Sequence, residues 1–116
     1  MEYVVKVKDV KPVIPGGHTG TKNRPLINEK CGINDFILNY GEVEPAGGAV
    51  PHTHPYDQAC YILGGKLKLI IDGKTYTLEE GMVYFVPAGV EHQVEAIGSE
   101  PLKALIIYGK ERQSDE

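Results

Sequence analysis

Fourteen glycines and eight prolines interrupt this chain of 116 residues so often that no window holds an apolar period of about 3.6 residues through more than a turn or two. Nothing longer than a short helical turn fits between the breakers. The runs left over are rich in Val, Ile, Leu, Tyr and Thr, side chains that suit a half-buried pleated surface. The clearest is a hairpin. Residues 66–71 and 74–78 alternate as strands should, and Asp72-Gly73 between them supplies the two positive-φ positions of a type I′ turn. Further strands are expected at 3–7, 24–27, 35–43, 49–54, 58–63, 82–86, 91–96 and 102–108, about ten short strands in all. Residues 11–23, with Pro12, Pro15, Gly16, Gly17 and Gly20, read as an arm or loop, and the polar residues 110–116 as a frayed tail. The expected class is all-β, a sandwich or barrel forming one domain over residues 1–116.

Composition narrows the function. With 41% hydrophobic and 24% charged residues, the chain has enough apolar surface to close a core and is not a disordered segment. Twelve Lys and Arg against sixteen Asp and Glu give a net charge of -4 without a basic cluster, which argues against nucleic-acid binding. No apolar stretch approaches the roughly 20 residues of a membrane span. The start, Met1-Glu2-Tyr3-Val4-Val5-Lys6, lacks the pattern of a secretory signal, so a cytoplasmic protein is expected. Cys31 and Cys60 form neither a C-x-x-C pair nor a disulfide framework, and are read as reduced thiols.

Four histidines remain to be explained, and strand geometry can gather three of them. His52 and His54 stand two apart, and residues at i and i+2 of a strand share a face. Carrying that parity through Pro55-Tyr56-Asp57 places Gln58 on the same side, with Cys60 and Ile62 beyond. In residues 91–96, His92 alternates in step with Val94 and Ala96, which turns its ring inward. The plain reading is that His-x-His arises by chance on a surface. Against it, a cluster of imidazoles inside a barrel needs every ring nitrogen satisfied, and one divalent cation satisfies three together.

These residues resemble the cupin family. Its first motif, G-x5-H-x-H-x(3,4)-E-x6-G, is matched over about residues 47–65 by Gly47-Gly48-Ala49-Val50-Pro51-His52-Thr53-His54, then Gln58 and Gly65. Here Ala46 takes the place of the leading glycine and Gln58 that of the glutamate. The second motif, G-x5-P-x-G-x2-H-x3-N, is matched over about 81–96 by Gly81, Pro87, Gly89 and His92, with Ala96 for the final Asn. The resemblance implies a small single-domain cupin: a double-stranded β-helix, or jelly-roll barrel, holding one divalent ion (Mn, Fe, Ni or Zn) between His52, His54, Gln58 and His92. It also implies a small-molecule ligand and a homodimer, the latter supported by apolar residues in the expected strand at 3–7.

A glutamine ligand leaves all four donors neutral and the full dipositive charge on the site. Lewis-acid chemistry of isomerase or lyase type, on a small oxygenated or anionic molecule such as a sugar acid, is therefore expected ahead of a metal-dependent dioxygenase. The run from His52 through Gly65 is similar to small cupins that open unsaturated uronates and to manganese cupins of hydroxynitrile lyase type. The uronate enzymes use charged residues from the last strands, whereas Ala104, Leu105, Ile106 and Ile107 are apolar. A non-catalytic binding or sensing module is the alternative from another class. Tyr84, Tyr61 and Asp57 are the candidates for proton transfer, although such tyrosines usually keep the hydroxyl at the surface and such a turn aspartate is usually exposed. Cys60 is expected to be a buried structural thiol. His18, in the Gly-rich segment, either covers the barrel mouth or is solvated, and the solvated reading is preferred.

Overall fold

The expected hairpin forms as read. In the computed structural model, β4 (Lys66–Ile71) and β5 (Lys74–Glu79) pair with Ile71 opposite Lys74. Asp72 and Gly73 take φ of 50° and 73°, the left-handed pair that a type I′ turn requires. The structure describes residues 3–111; residues 112–116, most of the expected polar tail, lie outside them. The remaining strands are β1 (His18–Ile27), β2 (Phe36–His52), β3 (Gln58–Gly64), β6 (Val83–Val86), β7 (His92–Ile97) and β8 (Leu102–Gly109). They curl into one sheet in the order β5-β4-β7-β2-β8-β3-β6, with β1 on β2. Ile62 N–H donates to Met82 O at 2.9 Å and Gly81 N–H to Ile62 O at 3.0 Å. These bonds tie the β5–β6 turn back to β3, so the sheet rolls into a nearly closed jelly-roll barrel.

Among the described residues eight strands replace the expected ten: one does not form, two are continuous, and a further one is longer than expected. Residues 3–6 form no strand and are followed by a single 3-10 turn at Val7–Asp9. Tyr3 and Val4 remain 90% and 80% exposed, because apolar alternation makes a strand only where an edge is offered to it. The expected loop at 11–23 instead becomes β1 from His18 onward, paired along β2 with a register shift around Gly20. Its inward residues are Thr21 and Asn23, both buried, so hydrophobic periodicity had nothing to register. Finally, the strands expected at 35–43 and 49–54 are a single strand, β2, which ends at His52 and leaves His54 in the following loop.

Strand β2 changes partner halfway. Residues Phe36 to Val43 pair with β8, and from Gly48 the strand pairs with β7. At the crossing, a Cβ on Gly48 would lie 2.0 Å from Val94 O, so only glycine lets the two backbones approach. Just before it, Ala46 adopts φ 69°, which explains why the motif prefers glycine at that position. Below the crossing lies the core of Cys60, Ile62, Leu67, Leu69, Leu78, Ala96, Leu102 and Ala104. Two barrel strands run from a polar residue to apolar ones: Gln58, Cys60 and Ile62 on β3, and His92, Val94 and Ala96 on β7. Replacing exposed Ala46 by Gly relieves a left-handed alanine while freeing the unfolded chain, effects of ~1–2 and ~0.4–1 kcal/mol respectively. The net expectation is a gain of about 1 kcal/mol, read in chemical denaturation as a higher midpoint at unchanged slope.

Candidate metal centre

His52 closes β2 directly opposite His92, the first residue of β7, while His54 reaches in from the loop that leads to β3. Their ring centroids are 4.2 Å (His52–His92), 4.9 Å (His54–His92) and 5.8 Å (His52–His54) apart. One ligand atom from each ring lies within 4.8 Å of those of the others, so the three histidines form a group able to hold a metal ion. A backbone carbonyl fixes each tautomer. His52 Nδ1 lies 2.7 Å from Val50 O, His54 Nδ1 2.8 Å from Tyr56 O, and His92 Nδ1 3.1 Å from Val90 O. A carbonyl only accepts, so each Nδ1 carries a proton, which in the neutral ring leaves Nε2 with a lone pair for a ligand. His54 also stacks on Tyr56, with centroids 4.3 Å apart and planes within 1°.

Gln58, the first residue of β3, places Oε1 2.9 Å from His54 Nε2. Both atoms are acceptors when His54 is neutral with its proton on Nδ1, and two lone pairs at that distance repel. Two donors about 2.1 Å from one cation and at right angles to each other stand about 3.0 Å apart. The observed spacing thus fits a cation between them, and the donor set of three neutral imidazoles and one amide oxygen fits a divalent ion.

His52, His92 and Gln58 face a cavity of about 60 Å³, and His54 stands outside its lining. It is continued inward by Val43, Val94, Leu102, Ala104 and Ile106, and is also lined by His18, Thr21, Asn23, Cys60, Tyr84 and Tyr108. Among the described residues that line it there is no Asp, Glu, Lys or Arg. Contrary to the solvated reading, His18 borders the cavity with its ring 6.1 Å from that of His52; burial, then the neighbouring His52, lowers its pKa. Burial is likewise the main cause of the lowered pKa of His92, so both rings favour the neutral form. Asn23 is 6% exposed and its Oδ1 has no hydrogen-bond partner.

The three candidates for proton transfer separate. Tyr61 is 45% exposed, as expected of a tyrosine on the outer face. Tyr84 is the reverse: opposite Cys60 on β6, it turns its hydroxyl into the barrel, 3.5 Å from Gln58 Nε2. Burial pushes its pKa well up. Asp57 accepts from Ala88 N–H at 2.9 Å and borders a separate groove beside Phe85 and Ile107. Tyr108, unremarked in the sequence, extends the inward parity of Leu102, Ala104 and Ile106, and burial raises its pKa; that parity was the signal available for finding it.

The family model for the cupin domain matches residues 39–108. This chain is a cupin. Among curated proteins it is similar to the tetracenomycin polyketide synthase protein TcmJ of Streptomyces glaucescens, 27% identical over 95 residues, covering 80% of this chain and 64% of the relative. It is also similar to the oxalate decarboxylase OxdC of Bacillus subtilis, 34% identical over 79 residues, covering 63% of this chain and 20% of the relative. The cupin thus spans less than two thirds of the length of either curated relative. Among solved structures, the polyketide cyclase RemF of Streptomyces resistomycificus superposes with a TM-score of 0.85 at 30% identity, covering 98% of this chain and 83% of that one.

The two cysteines of this cupin differ in exposure: Cys31 is exposed and Cys60 buried. Burial, partly offset by the hydrogen bond from Tyr84, pushes the Cys60 thiol up to about 11. At pH 8 a disulfide reagent is therefore expected to titrate one fast thiol per native chain, lost in Cys31→Ser, with the second appearing only on unfolding. Because folding raises the Cys60 pKa above its unfolded value of 9.0, its contribution to stability is complete below about 9. That contribution declines as pH rises through about 11, an alkaline loss that Cys60→Ala removes.

Proposed function

We propose that this cupin is a divalent-metal enzyme of Lewis-acid type, with isomerase, lyase or ring-closing activity on a small oxygenated or β-keto compound. The observation that carries the reading is the grouping of three imidazoles, their ligand atoms within 4.8 Å of one another, with the Gln58 carbonyl 2.9 Å from one of them, beside a small cavity. An ion held by His52, His54, His92 and Gln58 would polarise a carbonyl or carboxylate oxygen and stabilise the negative charge that develops when a neighbouring carbon loses a proton. The rest of the work belongs to the chain. Val43, Val94 and Ile106 exclude water from the reacting end. His18, neutral at the rim, is placed to take a proton on a ring nitrogen and return it. The Asn23 Oδ1 asks for a ligand that brings a hydroxyl or N–H donor.

The cavity admits only a few heavy atoms, so a larger substrate would enter by its reactive end. The polyketide cyclase and polyketide synthase relatives support a β-keto substrate, and the oxalate decarboxylase relative a small dicarboxylate; a sugar acid is compatible with the same donor set. The absence of carboxylates among the described cavity residues favours the second reading, a metal-dependent binding module. Turnover separates the two. Protein purified without added metal is expected to carry one divalent ion per chain. His52→Ala and His92→Ala should each lose it together with at least a hundredfold of any turnover of β-keto acids, uronates or oxalate. Metal-independent turnover would overturn the reading, and binding without turnover would transfer it to the module. Gln58→Glu should retain the ion and move the alkaline limb of the rate profile upward, because a carboxylate lowers the charge of the centre.

For partners we propose a second copy of the chain, in a cytoplasmic setting. Val83 and Phe85 on β6, Tyr61 and Leu63 on β3 and Ile107 on β8 are all exposed apolar residues. Paired strands set them on one outer sheet face, a patch of the kind that associates. Light scattering is expected to give twice the chain mass for the wild type and the chain mass for Phe85→Glu.

A further inference from the structure

An amide side chain has two ends of nearly equal size, so shape alone does not decide which end of Gln58 faces the histidines. Chemistry at His54 pulls the wrong way. With its proton on Nδ1 bonded to Tyr56 O, His54 offers a lone pair at Nε2, and the Gln58 carboxamide would relieve the repulsion at 2.9 Å by rotating half a turn and donating N–H to it. That rotation would cap the imidazole and remove an oxygen donor from the site.

The opposing partner is on β6. Gln58 Nε2–H donates to the Tyr84 hydroxyl oxygen, 3.5 Å away. Tyr84 is also hydrogen-bonded to Cys60, its neighbour across the strand pair. Of that pair the phenol O–H is the strong donor and the thiol S–H a weak one, so Tyr84 donates to Cys60 Sγ. The phenolic proton is thereby engaged, and the oxygen presents only lone pairs to Gln58. A rotated amide would set its carbonyl against those lone pairs. The chain of donors thus runs from Gln58 through Tyr84 to Cys60.

We infer that Tyr84 is a positioning residue that holds the Gln58 carboxamide with its oxygen, and not its nitrogen, toward the three histidines. The inference rests on the metal reading above and concerns a glutamine ligand specifically. A carboxylate presents oxygen at either end and needs no such orientation.

The test is binding of Co2+ alone to metal-free protein, followed by calorimetry and by the visible absorption of the ion. Tyr84→Phe is expected to weaken binding about tenfold, in line with other residues that orient metal ligands, and to alter the absorption band. In the Gln58→Glu background the same change is expected to leave affinity and band unaltered. An equal loss in both backgrounds would mean a structural role and overturn the inference, as would tight wild-type binding that Tyr84→Phe leaves untouched. Failure of both the wild type and Gln58→Glu to bind Co2+ would instead overturn the metal reading, and this inference with it.

Discussion

The contact on which the mouth of the barrel depends is between two backbones. Gly48 lies so close to Val94 that a single added carbon would sit 2.0 Å from the carbonyl oxygen, and this approach lets β2 leave β8 and join β7. Only after that exchange does His52 face His92 across a strand pair. With a larger residue at 48, the upper half of β2 would stand off from β7 and the two imidazoles would not share a ladder. The bend is thus a precondition of the site, and it is set by steric exclusion among backbone atoms.

A second constraint works within the rings. Three carbonyls, each two residues from the histidine it serves, take the Nδ1 protons and so leave three Nε2 lone pairs directed at one region. Gathering imidazole acceptors side by side sets their lone pairs against one another, a repulsion that a shared cation relieves. Burial adds to this by disfavouring the protonated forms of His92 and His18. The site is able to meet a cation, and apolar residues line the cavity beneath it.

Much of this was legible in the chain. The Asp72-Gly73 hairpin follows from turn chemistry and the inward turn of His92 from a period of two residues, both of which local sequence records, whereas His52 and Gln58 come together across the loop at 53–57, where that period does not apply. What escaped depends on partners distant in sequence. β1 buries Thr21 and Asn23 rather than aliphatic residues, so no hydrophobic rhythm announces it, and the sequence alone points to a solvated His18. Tyr84 was assigned an outward hydroxyl because most tyrosines have one. Its inward aim comes from pairing with Cys60, a register fixed only when β6 meets β3. The alternation in residues 3–7 misled for the opposite reason: the pattern was present, but no sheet edge receives it.

The two-residue spacing of His52 and His54 also bears on how the protein and an ion would meet during folding. Those rings lie close together in any extended chain, whereas Gln58 and His92 join them only after β3 and β7 are in place. An unfolded chain would therefore retain a weak bidentate grip on a metal, and part of the binding energy of such an ion would be available before the barrel exists. Whatever the unfolded state binds is subtracted from the stabilisation of the native one. An ion held there would thus be a modest thermodynamic staple for its native affinity, met first by the two rings that sequence alone keeps together.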